Sequence, residues 1–316
     1  MLKTCLPNSQ KLPLTALADE KNRSFQALQE ITVANKDFFH DALQSVGALL
    51  LRGFEVRSAD DFLSFVRQFA GKELFNYAGG ASPRSALRKN VYNSTEYPPN
   101  LTLELHNELS YSKIFPRHLY FFCQKAPEKG GETSLGDSRR ILRKIRPSIA
   151  DLFKQKQVLY ERHLKPNTSD GYSWREAFET DDKSTVEDIC RRVGAEFEWQ
   201  AEDCLRIRQI RPATAVHPET GEEVWFNQAH GFHASALAAE TLAWYQARHE
   251  KPRLNSCFGD NSPICALTLG HIREVLQAET VPHRWQASDI LILDNILTAH
   301  GRMPFSGARK IILAMT

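Results

Sequence analysis

Six cysteines stand at positions 5, 123, 190, 204, 257 and 265 of the 316-residue chain, and no two form a C-x-x-C pair. That spacing offers no zinc knuckle and fits reduced thiols better than a disulfide frame, so a cytoplasmic location is expected. No apolar stretch approaches the roughly eighteen residues of a membrane span, and no membrane partner is expected. The opening MLKTCLPNSQKLPLTAL lacks the long apolar run of a signal peptide. The formal charge is only +2, too small to call for a nucleic-acid partner. The glycine pairs in YAGGAS and EKGGET lack the spacing of a dinucleotide or phosphate loop, and H-E-x-x-H is absent. There is no internal repeat and no obvious interdomain linker.

What is present is ordinary for a globular protein: 42% hydrophobic and 25% charged residues. The length supports one large core, and a single domain over 1–316 is expected, with helical and loop insertions around 138–195 and 234–250. NKDFFHDALQSVG (35–47) reads as a helix ended by Gly47, followed by the apolar strand ALLLRGF. SADDFLSFVRQFA (58–70) reads as a second helix with Ser58 as its cap. Residues 76–100 carry loop chemistry, rich in Gly, Pro, Ser and Asn. Pro147 interrupts a helical stretch at 138–155. Ser184 or a neighbour is the expected cap of a helix over Thr185–Val193, and HPETGEE is a hairpin turn between two strand-like runs. LYFFCQ, DILILDNILTAHGR and ARKIILAMT read as strands. Many short strands with helices between them favour a mainly β jelly roll with peripheral helices. A doubly wound sheet is the runner-up, without the regular alternation it needs.

The stretch LHNELS (105–110) places His106 and Glu108 two residues apart. On a strand, alternate side chains share a face, so the two can meet one centre while Asn107 points away. Two histidines and one carboxylate on one face leave the rest of an octahedron open, the arrangement of non-haem iron oxygenases. His300, after DILILDNILTA, is a candidate third ligand. Composition alone does not select it over His217 or the pair His230 and His233 in HGFH.

The blocks VYNSTEYPPNLTLELHNELSYSKIFPRHLYFFC, PEKGGETSLGDSRRIL, HPETGEEVWFNQ and LILDNILTAHGRMPFSGARKIILA, in this order, resemble the TauD/TfdA family of Fe(II)/2-oxoglutarate-dependent dioxygenases. The resemblance runs from about residue 40 to the end and is narrowest to the clavaminate synthase-like and SyrP-like biosynthetic branch. It implies the double-stranded β-helix fold. It implies His106, Glu108 and His300 as iron ligands, with Thr133 and Arg309 on the far carboxylate of 2-oxoglutarate. Glu at 108 replaces the commoner Asp, a mark of the clavaminate-synthase-like branch. Its presence argues against a halogenase, which would have Gly or Ala there.

The same resemblance implies oxidative decarboxylation of 2-oxoglutarate with O2 and hydroxylation of an aliphatic carbon, with desaturation or cyclisation as related outcomes. Arg84, Tyr92, Asn93, Thr95 and Asn107 cluster before or within the proximal motif, and Arg302 lies near His300; these are the candidate substrate contacts. They suit an amino-acid-like substrate, whether free, peptide-bound or carrier-tethered. The sequence leaves a homo-oligomer open. Two other classes stay in view: a zinc hydrolase, which also uses two His and a Glu, and a non-catalytic jelly-roll binding protein.

Overall fold

The run Ile290–Leu293 is apolar at every position, which a strand can use only if both of its faces are covered. In the computed structural model, which describes residues 3–6, 12–82, 84, 86–88, 90–94, 97–167 and 172–316, they are. Ile290–Asp294 lies inside an eight-stranded sheet, between Ala48–Arg52 and His118–Lys125. Lys310–Met315, Val91–Asn93 and Ala86–Arg88 continue the sheet on one side; Leu14–Leu17 and Lys3–Cys5 continue it on the other. Leu291 and Leu293 face one way, into a core shared with Leu50, Phe121 and Leu313. Ile290 and Ile292 face the other way, against Leu28, Phe39, Phe62 and Val66 of three helices. Each such side chain stabilises the fold by roughly 1.5–3 kcal/mol on burial.

The helices follow their sequence signals. Lys36–Val46 ends at Gly47, whose φ of 84° suits glycine and where a Cβ would collide with Thr298 Oγ1. Ala59–Ala70 starts in a capping box: Asp61 N–H donates to Ser58 Oγ at 3.1 Å, and Ser58 N–H donates to Asp61 Oδ2 at 3.1 Å. Pro147 does not kink one helix. It opens the second of two, Pro147–Lys156 after Ser138–Lys144, because a first-turn residue needs no N–H partner. The cap of Lys183–Arg192 is Asp182, not Ser184; its carboxylate accepts the amides of Ser184 and Thr185. The early helix Phe25–Ala34 was not anticipated.

A second sheet, in the order Val281–His283, Thr133–Asp137, Thr298–Arg302, Leu103–His106, supplies Leu105, Leu135 and Ala299 to the core it shares with Leu291 and Phe121. The two sheets form the jelly roll, with helices outside. The stretch 138–195, expected to carry helical and loop insertions, also holds the strand Val158–Leu164, which joins Leu205–Arg211, Glu196–Trp199 and Leu254–Phe258, outside the expected insertions, in an antiparallel four-stranded sheet. Its strands bury mainly one face, as Leu205–Arg211 does with Leu205, Ile207 and Gln209 buried and Arg206 and Arg208 partly exposed. The HPETGEE turn joins Thr214–Val216 to Glu223–Trp225 as a hairpin. Among the described residues no helix is long and apolar enough to cross a membrane.

Candidate metal centre and cosubstrate cleft

His106 and His300 are direct cross-strand partners in the second sheet, with ring centroids 4.4 Å apart. The ladder slips one position after His300, at Gly301, where a Cβ would strike Leu103 O; only glycine allows this approach. Glu108 does not share the strand with His106, as alternation suggested. The strand ends at His106 and Glu108 sits in the turn beyond it. A buried side chain from the far end of the chain holds that turn. Asn295 Oδ1 accepts Glu108 N–H at 2.7 Å, and Asn295 Nδ2 donates to Glu108 O and Pro116 O, both at 2.9 Å. Asp294 beside it caps the following turn by accepting the amides of Ile296 and Leu297.

The result is one cluster. A ligand atom from each of His106, Glu108 and His300 lies within 4.8 Å of the other two. His300 Nε2 is 3.8 Å from Glu108 Oε2, while His300 Nδ1 is buried without a hydrogen-bond partner among the described residues. His106 Nδ1 lies 2.9 Å from Glu104 O, a contact that makes it the protonated nitrogen and leaves the Nε2 lone pair free. Burial pushes both imidazoles below their ordinary value, His300 strongly so, with His106 and Arg84 adding repulsion. They are therefore neutral, the form that ligates. Two neutral imidazoles and a carboxylate suit a divalent first-row metal.

The rival histidines are engaged elsewhere. His217 Nε2 meets Asp294 Oδ2 at 3.0 Å, and Arg117 donates to the same oxygen. His230 Nε2 donates to Leu105 O at 3.0 Å, and His233 Nδ1 accepts Ser235 N–H at 3.1 Å.

A cleft beside His300 is lined by Thr133, Arg309, Arg302, Ser94, Phe121 and Arg84 among others. Thr133 Oγ1 accepts Trp285 Nε1–H at 3.0 Å. Arg309 donates from Nε to Gly131 O at 3.2 Å and from Nη1 to Ser94 Oγ at 3.1 Å, which aims its guanidinium across the cleft. Burial, with Arg302 next, pushes it down to about 10, the mark of a cation short of negative charge. Arg309 itself precedes the strand Lys310–Met315, and Lys310, the first strand residue, is exposed.

The remaining candidates divide. Arg84 does reach the centre: Nη2 donates to Glu108 Oε2 at 2.5 Å, both side chains being almost fully buried. Arg302 lines the cleft, and its guanidinium donates to the carbonyls of Tyr97, Pro98 and Leu101, while Nε is buried without a partner among the described residues. Tyr92 is in the core, its hydroxyl accepting Tyr77 N–H. Asn107 points away from the metal cluster and donates to Ser138 Oγ and Asn295 O. Asn93 ends the strand Val91–Asn93, where it pairs with Ile312, and Thr95 lies outside the described residues. Sequence reading missed Ser94 and Trp285 as supports of the cleft, and no local pattern marks either one.

A jelly roll that gathers two neutral imidazoles and a carboxylate beside an arginine-lined cleft defines a metal-dependent oxygenase of the facial-triad class. The chain belongs to the taurine catabolism dioxygenase TauD, TfdA family, which it matches over residues 9–316. It is an Fe(II)/2-oxoglutarate-dependent dioxygenase. It is 36% identical over 279 residues to the dapdiamide synthesis protein DdaC of Enterobacter agglomerans, covering 87% of this chain and 83% of that protein. It is 30% identical over 317 residues to a clavaminate synthase-like protein of Arabidopsis thaliana, covering 98% and 91%. Among solved structures, PvcB of Pseudomonas aeruginosa shares the fold at a TM-score of 0.55 and 16% identity, covering 96% of this chain and 84% of that one.

Proposed function

We propose that His106, Glu108 and His300 hold one Fe(II) and that the enzyme hydroxylates an aliphatic carbon of an amino acid or amino-acid-derived substrate in a biosynthetic pathway. The observation that carries the reading is the convergence of the three ligand atoms within 4.8 Å. Bound iron and 2-oxoglutarate supply the activation of O2, with the cosubstrate oxidised to succinate and carbon dioxide. The chain's own contribution is positioning. Asn295 fixes the Glu108 turn, and Glu104 O sets the His106 tautomer. Arg309 offers a charged fork to the far carboxylate of the cosubstrate, and Thr133 offers its hydroxyl beside it. The core residue Phe121, its ring 5.4 Å from that of His300, keeps this side of the centre apolar.

The likeness to DdaC, a dapdiamide synthesis protein, supports a biosynthetic amino-acid-like substrate, free or carrier-tethered. Six unpaired cysteines support a reducing, cytoplasmic compartment. The test is anaerobic addition of Fe(II) and then 2-oxoglutarate, read by the visible charge-transfer band. Ala at 106, 108 or 300 abolishes the band in this reading, while H230A and H233A keep it. Loss of the band in H230A with retention in H300A refutes the ligand set. Stoichiometric zinc with no 2-oxoglutarate turnover indicates a hydrolase instead.

A further inference from the structure

Glu108 Oε2 faces two cations' positions at once. It lies 3.8 Å from His300 Nε2, on the side where the proposed metal sits, and it takes the hydrogen bond of Arg84 Nη2. Arg84 is 2% exposed, and its Nε and Nη1 are buried without a partner among the described residues. Its guanidinium lies over the Tyr77 ring, 4.5 Å from the centroid. Two more arginines brace the same loop from behind. Arg162 donates to Gly79 O at 2.7 Å and Arg253 to Ala81 O at 2.9 Å, each near a buried tyrosine ring. Among the described residues neither of these two forms an ion pair, and the one ion pair of Arg84 is with Glu108.

Coordinating a metal commits Glu108's negative charge to that metal. Arg84 then loses its counter-charge in a buried setting and lies beside a second cation. The cosubstrate does not repair this, since its far carboxylate is matched by Arg309 and its near one by the metal. Positive charge still exceeds negative around Arg84, and its Nε and Nη1 groups lack an acceptor among the described residues.

The geometry points to Arg84 as the receptor for a free carboxylate on the primary substrate, which takes the place Glu108 gives up when it binds metal. This rests on the ligand set proposed above and narrows the substrate to one that enters with its carboxylate unmodified. A carboxyl tied up in a carrier thioester lacks the charge Arg84 requires. It also makes metal and anionic substrate bind cooperatively, each removing the penalty the other leaves.

The experiment measures Mn(II) affinity by equilibrium dialysis with N-oxalylglycine saturating the cosubstrate cleft. The probe is sodium formate, compared with sodium chloride at equal ionic strength and with formamide as its neutral isostere. Formate is expected to tighten Mn(II) binding at least fivefold in the wild type, formamide and chloride less than twofold. In R84Q, Mn(II) binds at least tenfold tighter than in the wild type without any addition, because nothing competes for Glu108, and formate adds less than twofold. Equal effects of formate and formamide on the wild type overturn the inference even if R84Q does not fold. So does weaker Mn(II) binding in a folded R84Q, which would make Arg84 a support for the ligand. Failure of the wild type to bind Mn(II) at all refutes the ligand set itself and this inference with it.

Discussion

Arg309→Ala removes a largely buried cation of the cosubstrate cleft that keeps N–H groups to give. Two of its five donors are held by Gly131 O and Ser94 Oγ, which orient the guanidinium without neutralising it. Arg302 lines the same cleft, but three of its donors are held by the carbonyls of Tyr97, Pro98 and Leu101. Lys310 is on the outside of the strand. Removing a charged hydrogen-bond partner from a desolvated carboxylate costs on the order of 2–5 kcal/mol. At about 1.4 kcal/mol per decade this is roughly a 30-fold to several-thousand-fold weaker Kd for 2-oxoglutarate. R309A should therefore retain Fe(II), since no ligand touches it, and lose cosubstrate affinity by at least an order of magnitude. R309K should fall between, keeping charge but not the two-pronged edge. K310A should stay near wild type. Anaerobic titration of the charge-transfer band measures each Kd directly. An unchanged Kd in R309A together with a large loss in R302A would hand the role to Arg302 and show that its carbonyl contacts rearrange.

Two further predictions use the scaffold. Asn295→Ala strands three buried backbone groups around Glu108 and Pro116, for a stability loss of roughly 2–5 kcal/mol. It should also weaken Mn(II) binding, and unchanged urea midpoint and dialysis Kd would remove Asn295 from the positioning argument. His230 is held neutral by burial, down to about 3, with Arg273 and His106 adding repulsion. The unfolded chain takes up a proton near pH 6.5 and the folded one does not, so stability falls as pH drops from about 6.5 towards about 3. At pH 5 this amounts to about 2 kcal/mol, which His230→Gln should recover in the difference between urea unfolding at pH 7 and pH 5. Equal pH sensitivity in the variant and the wild type would refute it.

Local chemistry made much of the frame legible. Gly47 stopped its helix because the αL position suits glycine, Ser58 capped because its hydroxyl reaches a free amide, and Ile290–Leu293 paired in a sheet because four consecutive apolar residues suit two covered faces. Asp137 caps Ser138–Lys144 in the same way, its carboxylate accepting the amides of Arg139 and Arg140. The pairing of His106 with Glu108 was visible as a spacing, although the explanation by strand alternation did not hold, since a turn and not a strand presents Glu108. Arg84 was visible only as one polar residue among several in a loop, and Arg302 looked as available as Arg309.

The sequence by itself determined which residues could cap, turn, pair or ligate, because those properties depend on neighbours within a few positions. Only the tertiary structure decided which of them act together. It set His300 opposite His106 through a ladder between strands nearly two hundred residues apart, and reached Asn295 across to the Glu108 turn. It tied Arg302 to the carbonyls of a loop while leaving Arg309 turned to the cleft. It buried Arg84 against Glu108 with donors to spare. Such outcomes depend on which polar groups end up in one desolvated space, and on how many partners are there to satisfy them. No spacing along the chain records that count.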